Sequence, residues 1–256
     1  MRGFGVFLGK EAREILRTWR IWALPGLVVF LALTGPVIAK LTPELLKSMS
    51  GTAGMGGVVV TLPKPTWQDA YLQWSKNLTQ MITWVLVVMA GGMVSGERKS
   101  GTAVLVLTKP ISRSAFLLAK FISNAGLVAL AAVLGAFSTW AVTLGVFGEA
   151  PVRIMVEATA VWLTFAIVLV AVLTLFSAVV DSRLGATFLG FGVLVAFTIA
   201  SLWGPAADLS PAGLVNAPNA VISGTGGRLL WPLVTSAVAT LLFVAGGMCA
   251  FSRKEL

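Results

Sequence analysis

The chain has 256 residues, of which 57% are hydrophobic and 11% charged, and its formal net charge is +9. Soluble domains carry roughly 25% charged residues, so this chain lacks the charge to cover a water-facing surface, and its solvent is lipid. It holds no histidine and a single cysteine, Cys249, which excludes a Ser-His-Asp triad, a histidine zinc site, an intrachain disulfide and a Cys-based metal cluster.

In chain order, residues 4–20 read first as an amphipathic helix. Phe4, Phe7, Leu8, Ala12, Ile15, Leu16 and Trp19 share one broad face, and Lys10, Arg13, Glu14, Arg17 and Arg20 share the other. Glu11 interrupts that division. An apolar face with Phe and Trp opposite a basic face describes a helix lying in the headgroup plane. It serves as an anchor for the first span or as a contact arm for a partner.

A spanning helix needs about 20 mostly apolar residues. Six runs qualify, at residues 22–39, 78–94, 116–147, 158–180, 185–203 and 229–251. The sequence therefore predicts an all-α, polytopic membrane protein with six transmembrane helices in a single domain. The first run follows a long charged segment and lacks a small-x-small cleavage site between Pro36 and Lys40, so a retained helix is expected rather than a signal peptide. Trp22, Trp162, Trp203 and Trp231 fall near span ends, where an indole gains from being half wet.

Between the first two spans, Thr42 to Asn77 holds a Gly-rich stretch and then an amphipathic piece, Trp67 to Trp74, expected outside the membrane. Within the six runs there is no Asp, Glu, Arg or His, and Lys120 stands one turn into the third, where it is expected to snorkel. Such a passage argues against a proton-coupled carrier. Small residues recur instead: Ser182, Ala186 and Gly190 form one stripe, and Gly91, Gly92, Gly135, Gly246 and Gly247 add others. They suit close helix packing, with dimer contact as the alternative. Residues 204–228 carry Pro205, Pro211 and Pro218 yet are apolar for a loop, so a partly buried or re-entrant stretch is expected between the fifth and sixth spans.

Thirteen of the 19 Lys and Arg residues fall on the side that holds both termini. By the positive-inside rule that side is cytoplasmic. These cations sit in short bridges between apolar runs, which argues for topology and anionic headgroups and against a nucleic-acid partner.

The most informative segment runs from Ser95 to Lys120. Glu97, Arg98 and Lys99 concentrate charge directly after the second span. Gly96 and Gly101 permit sharp turns. Thr102 can cap a short helix over residues 103–107, Pro110 ends it, and Ser112 can cap the long third span. A short helix lying across the cytoplasmic face suits a docking knob.

The succession of a basic start with Lys10-Glu11, the turn Glu97-Arg98-Lys99-Ser100-Gly101-Thr102 and the run Lys109-Pro110-Ile111-Ser112-Arg113 resembles the permease subunits of ABC transporters. The likeness is to the type-2 exporter branch, with its sodium-efflux, antibiotic-efflux and nitrous oxide reductase maturation permeases. The stretch from Trp67 to Asn77-Leu78-Thr79-Gln80 is similar to that family as well. The resemblance implies an interfacial elbow helix containing Lys10, Glu11, Arg13 and Arg17. It implies a coupling segment in which Glu97, Arg98, Lys99, Gly101, Thr102, Pro110 and Arg113 meet an ATPase. It also implies a second permease copy, homodimeric or a close paralogue, an accessory extracytoplasmic protein in some members, and a multi-pass place in a bacterial plasma membrane. The chain lacks a G-x-x-x-x-G-K-[ST] phosphate loop. It is therefore expected to hold no cofactor and to hydrolyse nothing itself, with ATP and magnesium on a partner ATPase. The alternatives are an ATP-independent carrier or channel, or a membrane enzyme using Asp69, Tyr71, Glu149, Glu157 or Asp208, whose spacings suggest no metal site or acid–base pair.

Overall fold

The structure, a computed structural model, describes residues 4–52, 64–99, 101, 112–227 and 229–254. Among these there are only helices and their connections. In hydrocarbon every backbone polar group must find an internal partner, which a helix provides within one segment. Six helices are long and apolar enough to cross a membrane: Ile21–Leu45, Trp67–Lys99, Arg113–Phe147, Val152–Val179, Arg183–Ala200 and Leu230–Ser252.

Helix α1 (Phe4–Arg17) precedes α2 (Arg20–Thr52). The second span is segmented into α3 (Trp67–Lys76), a π-helical turn (Asn77–Ile82), α4 (Thr83–Ala90), a turn at 91–94 and the short α5 (Ser95–Lys99). The later spans are α6 (Arg113–Phe147), α7 (Val152–Val179) and α8 (Arg183–Ala200). Two short helices, α9 (Gly204–Leu209) and α10 (Ala217–Ile222), flank a 3-10 turn at Pro211–Val215 and lead to α11 (Leu230–Ser252).

Helix α7 is the axis of the bundle. Val168 to Leu173 are all buried, six consecutive residues covering every side of the helix. Such all-round burial requires neighbours on all sides, and α4, α6, α8, α10 and α11 all pack on it. Helices α8 and α11 bury narrow stripes and turn most of their apolar surface outward, with Phe188, Ile199 and Leu241 strongly exposed. Exposed Leu and Phe at this density suit hydrocarbon.

The second span begins at Trp67, well before Leu78, so the piece expected outside the membrane is part of the bundle. Tyr71 and Trp74 are fully buried in it. Three of its buried or part-buried polar atoms are satisfied across helices. Trp74 Nε1 donates to Thr159 Oγ1 at 3.1 Å, Tyr71 Oη donates to the Pro151 carbonyl at 3.3 Å, and Asn77 Nδ2 donates to the Leu31 carbonyl at 3.4 Å. At the π turn the Leu78 carbonyl accepts the Thr83 amide and also Thr83 Oγ1, the latter at 2.8 Å. That hydroxyl in turn accepts from Trp162 Nε1 at 3.2 Å. Polar side chains of this kind hold helices together where lipid offers no hydrophobic drive.

The small residues serve packing within the chain. A Cβ on Gly190 would collide with Leu173 and lie 3.1 Å from Val87, and one on Gly135 would collide with Trp74 and Val28. The apolar 204–228 segment folds as short helices against the bundle end, where Ala212, Leu214 and Ile222 are buried.

Candidate functional site

Charge in this bundle gathers at the end that carries α1, α5, the start of α6, the α7–α8 connection and the end of α11. Helix α1 turns Phe7, Glu11 and Ile15 inward, one stripe at four-residue spacing. Glu11 breaks the amphipathic division for this reason: it is the polar member of the buried stripe. Its Oε2 lies 2.7 Å from Lys120 Nζ on α6, and Lys120 Nζ lies 2.5 Å from Glu97 Oε1 on α5. Only 5% of the Lys120 side chain is exposed. The expected snorkelling is thus corrected. Two carboxylates reach Lys120 inside the fold, so its ammonium has no need to extend to the headgroups.

Aromatic rings wall this triad. The Phe116 ring stacks between Phe7, at 5.3 Å between centroids, and Phe251, at 5.6 Å, and so joins α1, α6 and α11. Lys120 Nζ stands 5.5 Å from the Phe116 centroid, within cation–π range. Lys10 Nζ adds contacts to Glu11 at 3.0 Å and Glu14 at 2.5 Å. Partial burial works against the Lys10 charge, but hydrogen bonds to Glu14 and then Glu11 outweigh it and hold its pKa above the ordinary lysine value. Carboxylate oxygens of Glu11, Glu14 and Glu97 lie within 4.8 Å of one another, close enough to hold a metal ion. The two lysine ammoniums already supply positive charge to all three.

The break before α5 has a specific partner. At the turn over residues 91–94 the helix loses its regular hydrogen bonding. The Val94 and Ser95 amides instead donate to Ser177 Oγ on α7, at 2.9 and 3.0 Å. On its other side the turn lies close to α8, where a Cβ on Gly91 would collide with Thr187 and one on Gly92 with the Arg183 side chain.

Arg98 extends from α5 to the α7–α8 connection. It donates to the Ala178 carbonyl at 3.1 Å and pairs with Asp181. Lys254 Nζ reaches the same Asp181 oxygen at 2.5 Å and also donates to the Val179 carbonyl. Hydrogen bonds from Lys254 and then Arg98 hold the Asp181 carboxyl below its ordinary pKa. Arg113 donates to the Ser252 carbonyl at 3.2 Å and to the Lys254 carbonyl, securing the α11 end to the start of α6. Ser112 caps α6, its Oγ accepting from the Ala115 amide at 3.2 Å.

The residues singled out from sequence thus divide. Lys10, Glu11, Glu97, Arg98 and Arg113 belong to the charge network. Lys99 is exposed, and Gly101 has φ +73°, a left-handed conformation that favours glycine. Arg13 and Arg17 are exposed on α1, away from the triad. Thr102, Pro110 and the short helix expected over 103–107 lie outside the described residues. Ser177, Asp181 and Lys254 escaped sequence reasoning, because nothing in their own neighbourhood reveals partners about 80 residues away. For Lys120 a signal existed: an acidic residue on the apolar side of α1 needs a buried cation.

A family model described as ABC-2 family transporter protein matches residues 6–214. The chain belongs to the ABC-2 transporter family. No curated protein matches it. The chain is accordingly a multi-pass membrane permease of an ABC transporter. In this permease the matched region takes in α1, the segmented second span, Lys120 and Asp181, and so includes the triad and the Arg98–Asp181 pair.

Proposed function

We propose that this permease is an exporter subunit driven by a separate ATPase, which docks at the charged end of the bundle. The observation that carries the reading is the connection of Glu97 and Arg98. Two adjacent residues of a short helix pair with opposite parts of the bundle, Lys120 on α6 and Asp181 beside α8. A displacement of α5 therefore reaches α1 and α6 through the triad, and α8 and α11 through Asp181 and Lys254. Glu97, Arg98, Lys99, Gly101, Thr102 and Pro110 form the proposed contact and transmission segment, with Arg113 holding its flank. Both termini face the cytoplasm in this reading, since the ATPase acts there. A second permease copy completes the transport unit, and ATP and magnesium are bound by the partner.

The test is co-expression with the partner ATPase of the same transporter and affinity capture of the permease. Arg98→Ala should retain insertion and span count but recover much less ATPase than the parent chain. Undiminished recovery, or labelling of a cysteine at position 99 only from outside the cell, overturns the proposal.

A further inference from the structure

Helix α1 carries a third stripe beside its buried and charged ones. Leu8, Ala12, Ile15 and Leu16 of α1 face Ile122, Ser123, Gly126, Leu127 and Leu130 of α6 across an open groove of about 310 Å³ whose lining is almost wholly apolar. The groove is not closed by packing. Leu16, Ile122 and Leu130 are exposed, and a Cβ on Gly126 would meet nothing within 4 Å.

At about 100° per residue, the next direction round α1 from Ala12 and Leu16 is that of Arg13 and Arg17. Both guanidiniums are exposed, and neither makes an ion pair or side-chain hydrogen bond among the described residues. Lys10, in contrast, is engaged by Glu11 and Glu14. The order round the helix is therefore buried stripe, open apolar groove, free cations. An apolar slot bordered by unpaired guanidiniums, on a helix beginning a membrane bundle, is complementary to an amphiphile with an acyl chain and an anionic phosphate.

We propose that the groove between α1 and α6 binds one anionic phospholipid, an acyl chain lying against Gly126 and its headgroup phosphate held by Arg13 and Arg17. The occupant is a lipid of the surrounding leaflet rather than a free phosphate, because the cavity wall offers a phosphate nothing. Zwitterionic lipid fits the slot but gains less from the guanidiniums. The bound lipid would fix α1 against α6 from the side opposite the Glu11–Lys120 pair.

The experiment uses delipidated full-length protein in detergent, titrated with phosphatidylglycerol, phosphatidylcholine or glycerol phosphate and read by native mass spectrometry. One phosphatidylglycerol should bind with clear preference over phosphatidylcholine, and glycerol phosphate should not bind. At roughly fivefold per basic residue near an anionic surface, R13Q/R17Q should weaken phosphatidylglycerol about 25-fold and phosphatidylcholine by much less. Gly126→Leu, which fills the slot, should weaken both lipids. Both substitutions alter exposed positions, and unchanged elution on size exclusion confirms the fold. Equal binding of the two lipids, or phosphatidylglycerol binding that survives both R13Q/R17Q and Gly126→Leu, overturns the proposal.

Discussion

Lys120→Met is the sharpest perturbation of the charged end. Methionine keeps much of the length and apolar stem of lysine but removes the ammonium between Glu11 and Glu97. The Glu11 side chain is 5% exposed and that of Glu97 17%, so water cannot replace what is lost. Their carboxylate oxygens lie within 4.8 Å, where two unit charges repel by roughly 3–4 kcal/mol at an effective dielectric of about 20. That agrees with the ~3–5 kcal/mol typical of removing one partner from a buried ion pair. We expect Lys120→Met to lose about that much, measured by steric-trap unfolding in bicelles. The triple change Glu11→Gln, Glu97→Gln, Lys120→Met removes every charge of the triad together and should recover most of the loss, because the penalty lies in the repulsion between two carboxylates that Lys120 no longer bridges. A Lys120→Met protein within ~1 kcal/mol of the parent would refute the reasoning. So would a triple variant no better than the single one.

Three further outcomes follow from the same end of the bundle. Ser177→Ala leaves the Val94 and Ser95 amides without their acceptor; each unsatisfied buried group costs about 1–3 kcal/mol, and hydrogen exchange over residues 94–99 should accelerate, whereas unchanged exchange would show that the hydroxyl does not hold the turn. Gly91→Ala should destabilise the fold by roughly 1–3 kcal/mol through its clash with Thr187, while Gly126→Ala, facing open space, should be neutral or stabilising; equal losses in the same unfolding assay would count against the close approach. The depressed Asp181 pKa has a definite sign. The unfolded carboxyl takes up its proton first as pH falls, so the Arg98 and Lys254 pairing stabilises fully above the ordinary aspartate value and is lost as acidification passes through the lower folded value. Protease cleavage after Arg253 should rise across that window, and Asp181→Asn should show the raised cleavage at neutral pH already; a pH-independent cleavage rate in the parent chain would refute this linkage.

The six-span fold was legible because hydrocarbon imposes a length and composition on each span that the residues cannot disguise. The errors came where polar atoms are satisfied by distant partners. Trp67 to Trp74 fell outside the second apolar run because Gln68, Asp69 and Gln73 lower its hydropathy, yet it is continuous with that helix, and Trp74 bonds Thr159 and Tyr71 bonds Pro151. Hydropathy counts a polar atom as an expense whether or not another helix meets it. Lys120 was misread for the same reason. Its position near a span end suits snorkelling in isolation, and only the folded arrangement brings Glu11 and Glu97 to it. The capping serine of α6 was legible because its partner is three residues away; the Ser177 contact was not, because its partner lies on another span.

The placement of these interactions bears on how force crosses the bundle. Gly91 and Gly92 lie directly before the charged turn and pack without side chains against α8. Beyond them α5 retains few apolar contacts and is held by Ser177, Lys120, Ala178 and Asp181, all through polar atoms. Apolar packing loses its energy gradually as surfaces slide, whereas a hydrogen bond weakens steeply once its angle and distance depart from ideal. A segment tied by four such contacts, at the end of a span braced by tight glycine packing, has a resting position set by identifiable polar pairs. In the proposed ATPase-driven mechanism a push on it would act on those pairs, which tie it to different spans.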